Sequence, residues 1–86
     1  MHMNGVIINQ NVEYGVFKKY FDGYYLFLMD NGETIVFEEV APIVIKKFDL
    51  KSEVFKGATF EITYSEYVQN DDEDFVSFKI EKLELA

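Results

Sequence analysis

The sequence predicts an all-β fold: a five-stranded barrel with one short helix between the third and fourth strands. Aromatic and β-branched residues, which favour strands, dominate five separate segments. One intervening segment has apolar residues close to a helical period. The 86 residues, 49% hydrophobic and 17% aromatic, are enough for one domain with a modest core. We therefore expect a single domain over residues 1–86, in which residues 1–4 are flexible or a cloning remnant.

The first three strands are predicted to form a meander. Residues 14–21 are the first strand and residues 24–29 the second. Asp22-Gly23 between them is a pair that tight hairpin turns favour, because such turns need positive φ. Residues 33–37 follow the turn at residues 30–32 and are the third strand.

Residues 38–48 are predicted to contain the helix. Pro42 is compatible with a helix only near its start. Glutamates at the front of the segment and lysines at its end complement the helix dipole. The apolar positions that follow a helical spacing are Val40, Ile43, Val44 and Phe48. Residues 49–57 are expected to connect this helix to the next strand, with at most one more helical turn.

The last two strands are predicted at residues 59–67 and 75–85. The first of them alternates apolar and polar residues, as a half-buried strand does. In the second, the apolar phase shifts between Ile80 and Leu83, so we expect a β-bulge near Glu81-Lys82. The acidic residues 66–74, which end in Asp-Asp-Glu-Asp, are expected to form a solvated loop between the two strands.

Three strands, a helix and two strands are the order of elements in the five-stranded OB barrel. An SH3-like barrel is the alternative, since its strand count is similar, but it rarely places a helix at this point. We therefore predict an OB-like barrel.

The second strand has two apolar faces. One alternate set is Tyr24, Leu26 and Leu28, and the other is Tyr25, Phe27 and Met29. Only one set can face the barrel interior. The other is covered within the chain, buried against a second copy, or open to a partner, and the pattern alone does not decide between these. The neighbouring lysines Lys18 and Lys19 raise a related question, because strict alternation turns one of them toward the core or its rim.

Composition narrows the classes of function. Sixteen acidic and eight basic residues give a formal net charge of -8, and every basic residue is lysine. This charge repels polyanions at long range, and arginine, the best bidentate phosphate ligand, is absent. There is no cysteine for a disulfide or a thiolate metal site. With no signal sequence and no membrane-spanning stretch, we expect a soluble, cytoplasmic protein without membrane contact.

Catalysis is not expected. The single histidine is His2, so Ser52, Ser65 and Ser77 lack a histidine base for triad chemistry. There is no glycine-rich phosphate loop, and the acidic run at residues 71–74 lacks the spacing of a calcium loop. We therefore expect no enzyme activity, no cofactor and no metal.

Four segments resemble the cold-shock domain, an OB-fold family. Residues 15–21 are similar to the family's first strand, and residues 23–28 lie where the family has Lys-Gly-aromatic-Gly-Phe-Ile. Residues 35–40 lie at its Val-Phe-Val-His-aromatic motif, and residues 56–62 are similar to the entry to its fourth strand. The resemblance implies an OB fold and binding of single-stranded RNA or DNA on the aromatic face of the second and third strands. Small acidic bacterial OB-like proteins are an equally good comparison.

The positions that would contact nucleic acid differ from the family. Asp22, Tyr25 and Glu38 replace a lysine, a glycine and a stacking histidine, which adds negative charge. We therefore predict a non-catalytic binding module whose partner is a protein or a second copy, with single-stranded nucleic acid binding as the alternative. The predicted surface lies on the first two strands and comprises Phe17, Lys18, Lys19, Tyr20, Tyr24, Tyr25 and Phe27.

Overall fold

The computed structural model describes residues 6–69 and 72–86, and the side chains of residues 9–68 and 76–86. The predictions for residues 1–4, and for Asp71 in the acidic run, lie outside this range. The elements in chain order are β1 (Val6–Phe21), β2 (Tyr24–Met29), β3 (Thr34–Phe37), β4 (Glu39–Val40), α1 (Pro42–Lys47), β5 (Thr59–Gln69) and β6 (Asp72–Leu85). The prediction of an all-β fold with one short helix is confirmed for the described residues.

The strands form one curled, barrel-like sheet in the order β3-β2-β1-β5-β6-β4. Neighbouring strands are antiparallel except β4 and β6, which are parallel. The chain bends at Glu38, whose N–H donates to the Phe78 carbonyl at 3.1 Å, and the Ala41 N–H donates to the Ile80 carbonyl at 2.8 Å. The sheet therefore curls, because the segment that begins as β3 at one edge ends beside β6 at the other.

Six strands occur in the described residues where five were predicted. The additional strand is β4, whose two residues were assigned to the helix. The helix is consequently shorter than the predicted residues 38–48. It begins at Pro42 and ends at Lys47, and Phe48, which follows it, has an extended backbone. Residues 49–57 contain turns and bends without a further helical turn.

β1, β5 and β6 extend beyond their predicted limits. β1 begins at Val6 because it pairs with β5 from Val6, opposite Val68, to Val16, opposite Thr59. Asp72 pairs with Gln69, so residues 72–74 belong to β6 and not to a loop. The predicted limits of β2 are confirmed, and so is the tight turn before it, where Asp22 and Gly23 have φ of 49° and 89°.

Two of the four register shifts in the described sheet are β-bulges that decide which side chains of β1 and β6 face inward. In β6 the pairing passes from Lys82 opposite Thr63 to Ile80 opposite Tyr64, so Glu81 is the extra residue and the predicted bulge is confirmed. In β1, the partners of Phe17 and Lys19 are consecutive residues of β2, which leaves Lys18 as the extra residue. Both lysines are exposed for this reason, and neither turns into the core as strict alternation would require.

The core is a cluster of aromatic rings around Phe27. Its ring centroid lies 5.2 Å from that of Phe17, 5.6 Å from that of Phe37 and 6.1 Å from that of Phe60. Gly15 lies where β1 passes close to this cluster, since a Cβ there would be 2.8 Å from the Met29 Sδ atom. Aromatic rings at these separations fill the interior without disulfide or metal.

Candidate functional site

The structure decides which face of β2 is inside. Tyr25, Phe27 and Met29 are buried in the core. The alternate set, Tyr24, Leu26 and Leu28, lies on the other side of the sheet and is exposed or half-buried. An apolar set of side chains is therefore accessible in the described part of the chain.

The predicted surface residues divide between the two sides of the sheet. Phe17, Tyr25 and Phe27 are core residues, so the prediction that they contact a partner is wrong. Phe17 and Phe27 lie opposite each other on the inner side, where their rings pack together. The remaining predicted residues are accessible: Lys18, Lys19 and Tyr24 are exposed and Tyr20 is half-buried.

The accessible side of strands β1 to β3 is called the outer face here. Its cross-strand rows follow from the register, in which Leu28 lies beside Val16, Leu26 lies between Lys19 and Val36, and Tyr24 lies beside Phe21. Sequence reasoning missed Val16, Phe21 and Val36, and it identified the Tyr24, Leu26 and Leu28 set without its orientation. The outer face comprises Val16, Lys19, Phe21, Tyr24, Leu26, Leu28 and Val36.

The outer face also carries positive charge. Lys18 and Lys19 are exposed on β1, and the Lys19 Nζ atom lies 5.6 Å from the centre of the Phe21 ring. Tyr20 packs against the core on the inner side of the sheet, and there the Lys51 Nζ atom, from the connector between α1 and β5, lies 5.5 Å from the centre of its ring. Ammonium groups at this distance are attracted to the π-electrons of the ring.

Tyr20 lies beside the buried Tyr25, and their ring centroids are 4.9 Å apart. Burial raises the pKa of the Tyr25 hydroxyl, while the positive charge of Lys51 acts in the opposite direction. The phenol of Tyr25 is therefore neutral at physiological pH, and the pair packs on the inner side of the sheet.

The end of the outer face next to Leu28 carries acidic residues. The Tyr14 hydroxyl donates to a Glu61 carboxylate oxygen at 3.3 Å, and the Asp30 N–H donates to the Tyr14 carbonyl at 2.9 Å. A shallow, open hollow of about 260 Å³ lies between this end and Leu28. Its lining residues are Tyr14, Gly15, Val16, Leu28, Met29, Asp30 and Thr59.

A polar cluster surrounds the Glu81 bulge on β5 and β6. Ser65 and Tyr67 donate to the same Glu81 oxygen at 2.9 and 3.1 Å, and the Lys79 Nζ atom is 3.9 Å from the other oxygen. Burial and the hydrogen bond to Glu81 raise the pKa of Tyr67. Ser65 is fully buried, so this cluster holds the bulge in place and offers no accessible nucleophile.

A second internal hydrogen bond joins β1 and β5. The Tyr64 hydroxyl donates to a Glu13 carboxylate oxygen at 2.7 Å. Burial of the ring and this hydrogen bond raise the pKa of Tyr64 well above its usual range. Tyr64 is therefore protonated at every physiological pH.

The described residues were also searched for further hollows, metal-binding groups and membrane-spanning helices. A hollow of about 70 Å³ lies beside α1, lined in part by Tyr25, Ile45 and Phe48. Among the described residues, His, Asp and Glu side chains do not gather in a group of three or more that fits a metal ion. Within the same residues, no helix has the length and apolar content to cross a bilayer.

Known proteins supply no template for the outer face. The likeness to the cold-shock domain depends on short strand motifs, so its implications for fold and activity stay predictions. No family model, no curated protein and no solved structure matches this chain.

Proposed function

We propose that this chain is a non-catalytic protein-interaction module with an OB-like barrel, and that its outer face is the binding surface. The observation that carries the proposal is the contiguous apolar surface of that face. Phe21 is 64% exposed, and Tyr24, Leu28 and Val36 are each about 40% exposed. Contiguous apolar side chains on a soluble domain mark interaction sites, whereas single exposed apolar residues do not.

The strand order supports the OB-like part of this proposal. We take β3 and β4 together as one OB strand that is interrupted at Glu38. The parallel pairing of β4 with β6 then corresponds to the closure of the barrel. In OB folds, ligands bind on the face of the second and third strands. The outer face includes those two strands.

The chemistry of the outer face favours a protein over a nucleic acid. Its centre is aliphatic, with Leu26, Leu28 and Val36 in neighbouring rows. Aliphatic side chains pack against other apolar side chains, whereas nucleobases bind to the flat faces of aromatic rings. The net charge of -8 also opposes the approach of a polyanion.

Site-specific photo-crosslinking tests the proposal. A photoreactive phenylalanine analogue replaces Tyr24 in the cells that produce the protein, and the products are identified by mass spectrometry. The matched control is the same replacement at Val54, which is more exposed but lies on the connector, away from the outer face. A discrete protein adduct at Tyr24 that is absent at Val54 supports the proposal, and the absence of any adduct at Tyr24 overturns it.

Single-stranded nucleic acid is the second candidate, and one observation favours it. Lys19 lies over the ring of Phe21 on the outer face. A lysine combined with aromatic rings is an element of a single-strand binding groove. Fluorescence anisotropy with a pyrimidine-rich oligonucleotide tests this candidate. Nucleic acid binding requires an affinity that falls steeply with salt and falls further in Lys19→Ala.

A further inference from the structure

We propose that the partner on the outer face is a segment of another protein in which an apolar stretch lies between basic residues, lysine or arginine, on both sides. This inference rests on the proposed function of the outer face and adds the chemical class of its partner. It is carried by the placement of four carboxylates at the two ends of the apolar centre.

The apolar centre of the outer face consists of two cross-strand rows. Leu26 lies between Lys19 and Val36 in one row, and Leu28 lies beside Val16 in the next. Leu28 and Val36 are exposed, and Leu26 and Val16 are half-buried. Contiguous apolar side chains of this kind bind apolar side chains of a partner, so the middle of the bound segment is expected to be apolar.

Acidic residues lie at both ends of these rows. At one end, Asp22 is in the turn that precedes β2, and Glu38 directly follows β3. At the other end, Asp30 directly follows β2, and Glu61 in β5 lies across β1 from it. The first three side chains are exposed and that of Glu61 is half-buried. Negative charge therefore flanks the apolar centre on two sides.

These four carboxylates are not neutralised by ion pairs within the described part of the chain. The ion pairs found there use other carboxylates, those of Glu53, Glu81 and Glu84. The four negative charges are consequently available to a partner. Electrostatic complementarity requires positive charge on both sides of the partner's apolar stretch.

The spacing of the two acidic ends defines the length of the segment. Asp30 is six residues after Tyr24, which corresponds to about 20 Å along a strand. About six residues of extended chain or about 13 residues of helix cover this distance. β2 has six residues and β3 has four, so the face is smaller than a specific interface between two folded domains needs. It suits one segment that binds weakly and reversibly.

Lys19 distinguishes this partner from a nucleic acid. Its ammonium group lies over the Phe21 ring, beside the apolar rows. A positive charge there repels a basic segment and attracts phosphate. Lys19→Gln keeps much of the side chain and removes its charge, so we expect it to bind the basic segment about twofold more tightly. The same variant would bind a nucleic acid more weakly.

The sequence of the cross-linked segment is the first test. The photoreactive analogue at Tyr24 marks the partner residues that contact the outer face, and mass spectrometry maps the adduct. Digestion by a protease that cuts at acidic residues keeps lysine and arginine in the mapped segment. We expect an apolar stretch with basic residues on both sides. A segment without them overturns the inference, and so does an adduct between two copies of this chain.

Charge reversal tests whether the two acidic ends bind the segment. Fluorescence anisotropy with a labelled synthetic peptide of the mapped sequence measures the dissociation constant of the unchanged chain, of Asp30→Lys and of Glu38→Lys. We expect the dissociation constant to rise about threefold to tenfold in each variant, and to rise with salt in the unchanged chain.

Glu53→Lys is the matched control for net charge. It makes the same change of charge at an exposed position on the connector, away from the outer face. We expect its dissociation constant to stay within about twofold of that of the unchanged chain. Circular dichroism confirms that all the variants are folded.

Three results with the peptide overturn the inference: an unchanged dissociation constant in Asp30→Lys and Glu38→Lys, equal weakening in Glu53→Lys, or weaker binding by Lys19→Gln. Each of them leaves the proposed function in place, because the partner is still a protein bound at Tyr24. The absence of any protein adduct at Tyr24 overturns both.

Discussion

Tyr20 lies directly opposite Tyr25 across β1 and β2, with ring centroids 4.9 Å apart, because Lys18 is bulged out of β1. Strict alternation from the inward-facing Phe17 would turn Lys19 inward and Tyr20 outward. The bulge reverses this, so Tyr20 packs against the core and Lys19 joins the outer face. One extra residue therefore lets Tyr20 join the core and leaves Lys19 on the outer face.

Deletion of Lys18 tests the effect of the bulge. The deletion removes the extra residue, so Lys19 follows Phe17 directly and regular alternation keeps Lys19 outward and Tyr20 inward. Because no side chain changes sides of the sheet, we expect the unfolding free energy in urea denaturation to change by only about 1 kcal/mol or less. Lys18→Ala keeps the residue count and the register, and we expect it to change stability by about 0.5 kcal/mol or less. A much larger loss of stability in the deletion variant than in Lys18→Ala would contradict this account of the bulge.

The close approach at Gly15 gives a second prediction. A methyl group there meets the Met29 Sδ atom at 2.8 Å, the Ile62 Cδ1 atom at 3.1 Å and the Leu28 carbonyl oxygen at 3.3 Å. We expect Gly15→Ala to lower the unfolding free energy by about 1–3 kcal/mol, as overpacking of a core does. The same substitution in a Met29→Ala background relieves the shortest contact, so its cost is expected to be smaller there. Additive effects in this double-mutant cycle would mean that Met29 is not the obstacle.

The Tyr64–Glu13 hydrogen bond predicts how stability depends on alkaline pH. The pKa of Tyr64 is raised by burial and by the bond to Glu13, whereas a tyrosine in the unfolded chain titrates at about 10. Above that pH the unfolded chain releases a proton that the native protein retains, so the stabilisation present below pH 10 is lost as pH rises. Urea denaturation at a series of pH values from 8 to 11 measures this loss.

Two variants assign the alkaline effect to this pair. Tyr64→Phe removes the titrating group, and Glu13→Gln keeps a hydrogen-bond acceptor while removing the negative charge that raises the pKa. We expect a shallower decline of stability above pH 10 in both variants. Tyr64→Phe also loses about 1 kcal/mol at pH 8, because its hydrogen bond is gone. A decline as steep as that of the unchanged chain in both variants would assign the effect to other tyrosines.

The two bulges show which parts of the fold can be predicted from local pattern. The bulge at Glu81 was predictable because the apolar phase of β6 changes between Ile80 and Leu83. The bulge at Lys18 left no such mark, since aromatic residues occupy both phases of β1 around it. β4 was not predictable either, because its two residues are a strand only through pairing with β6, far along the chain.

Prediction of the candidate site was limited by the same kind of ambiguity in the sequence pattern. Both alternate sets of β2 are apolar, so hydrophobic pattern could not distinguish inside from outside. The orientation depends on the pairing of β2 with β1, where Phe27 lies opposite Phe17 and Leu28 lies opposite Val16. Val36 joined the outer face only once the register of β3 was known.

Adjacent residues of β2 provide the sharpest comparison of core and outer face. Phe27 is fully buried, so we expect Phe27→Ala to lower the unfolding free energy by about 3–5 kcal/mol. Leu28 lies on the outer face, so we expect Leu28→Ser to lower it by only about 1 kcal/mol or less. The order reverses for association: Leu28→Ser stays folded, and we expect it to lose the Tyr24 cross-link.

Thermal unfolding and cross-linking at Tyr24, both carried out on Leu28→Ser, separate the two effects. Loss of association with a native-like unfolding transition would mean that Leu28 is exposed in order to bind. A large loss of stability would instead mean that Leu28 is packed within the chain, and that the second apolar face of β2 belongs to the fold. Unchanged association in a folded variant would exclude the outer face as the interface, because a polar residue at its centre removes apolar contact with the partner.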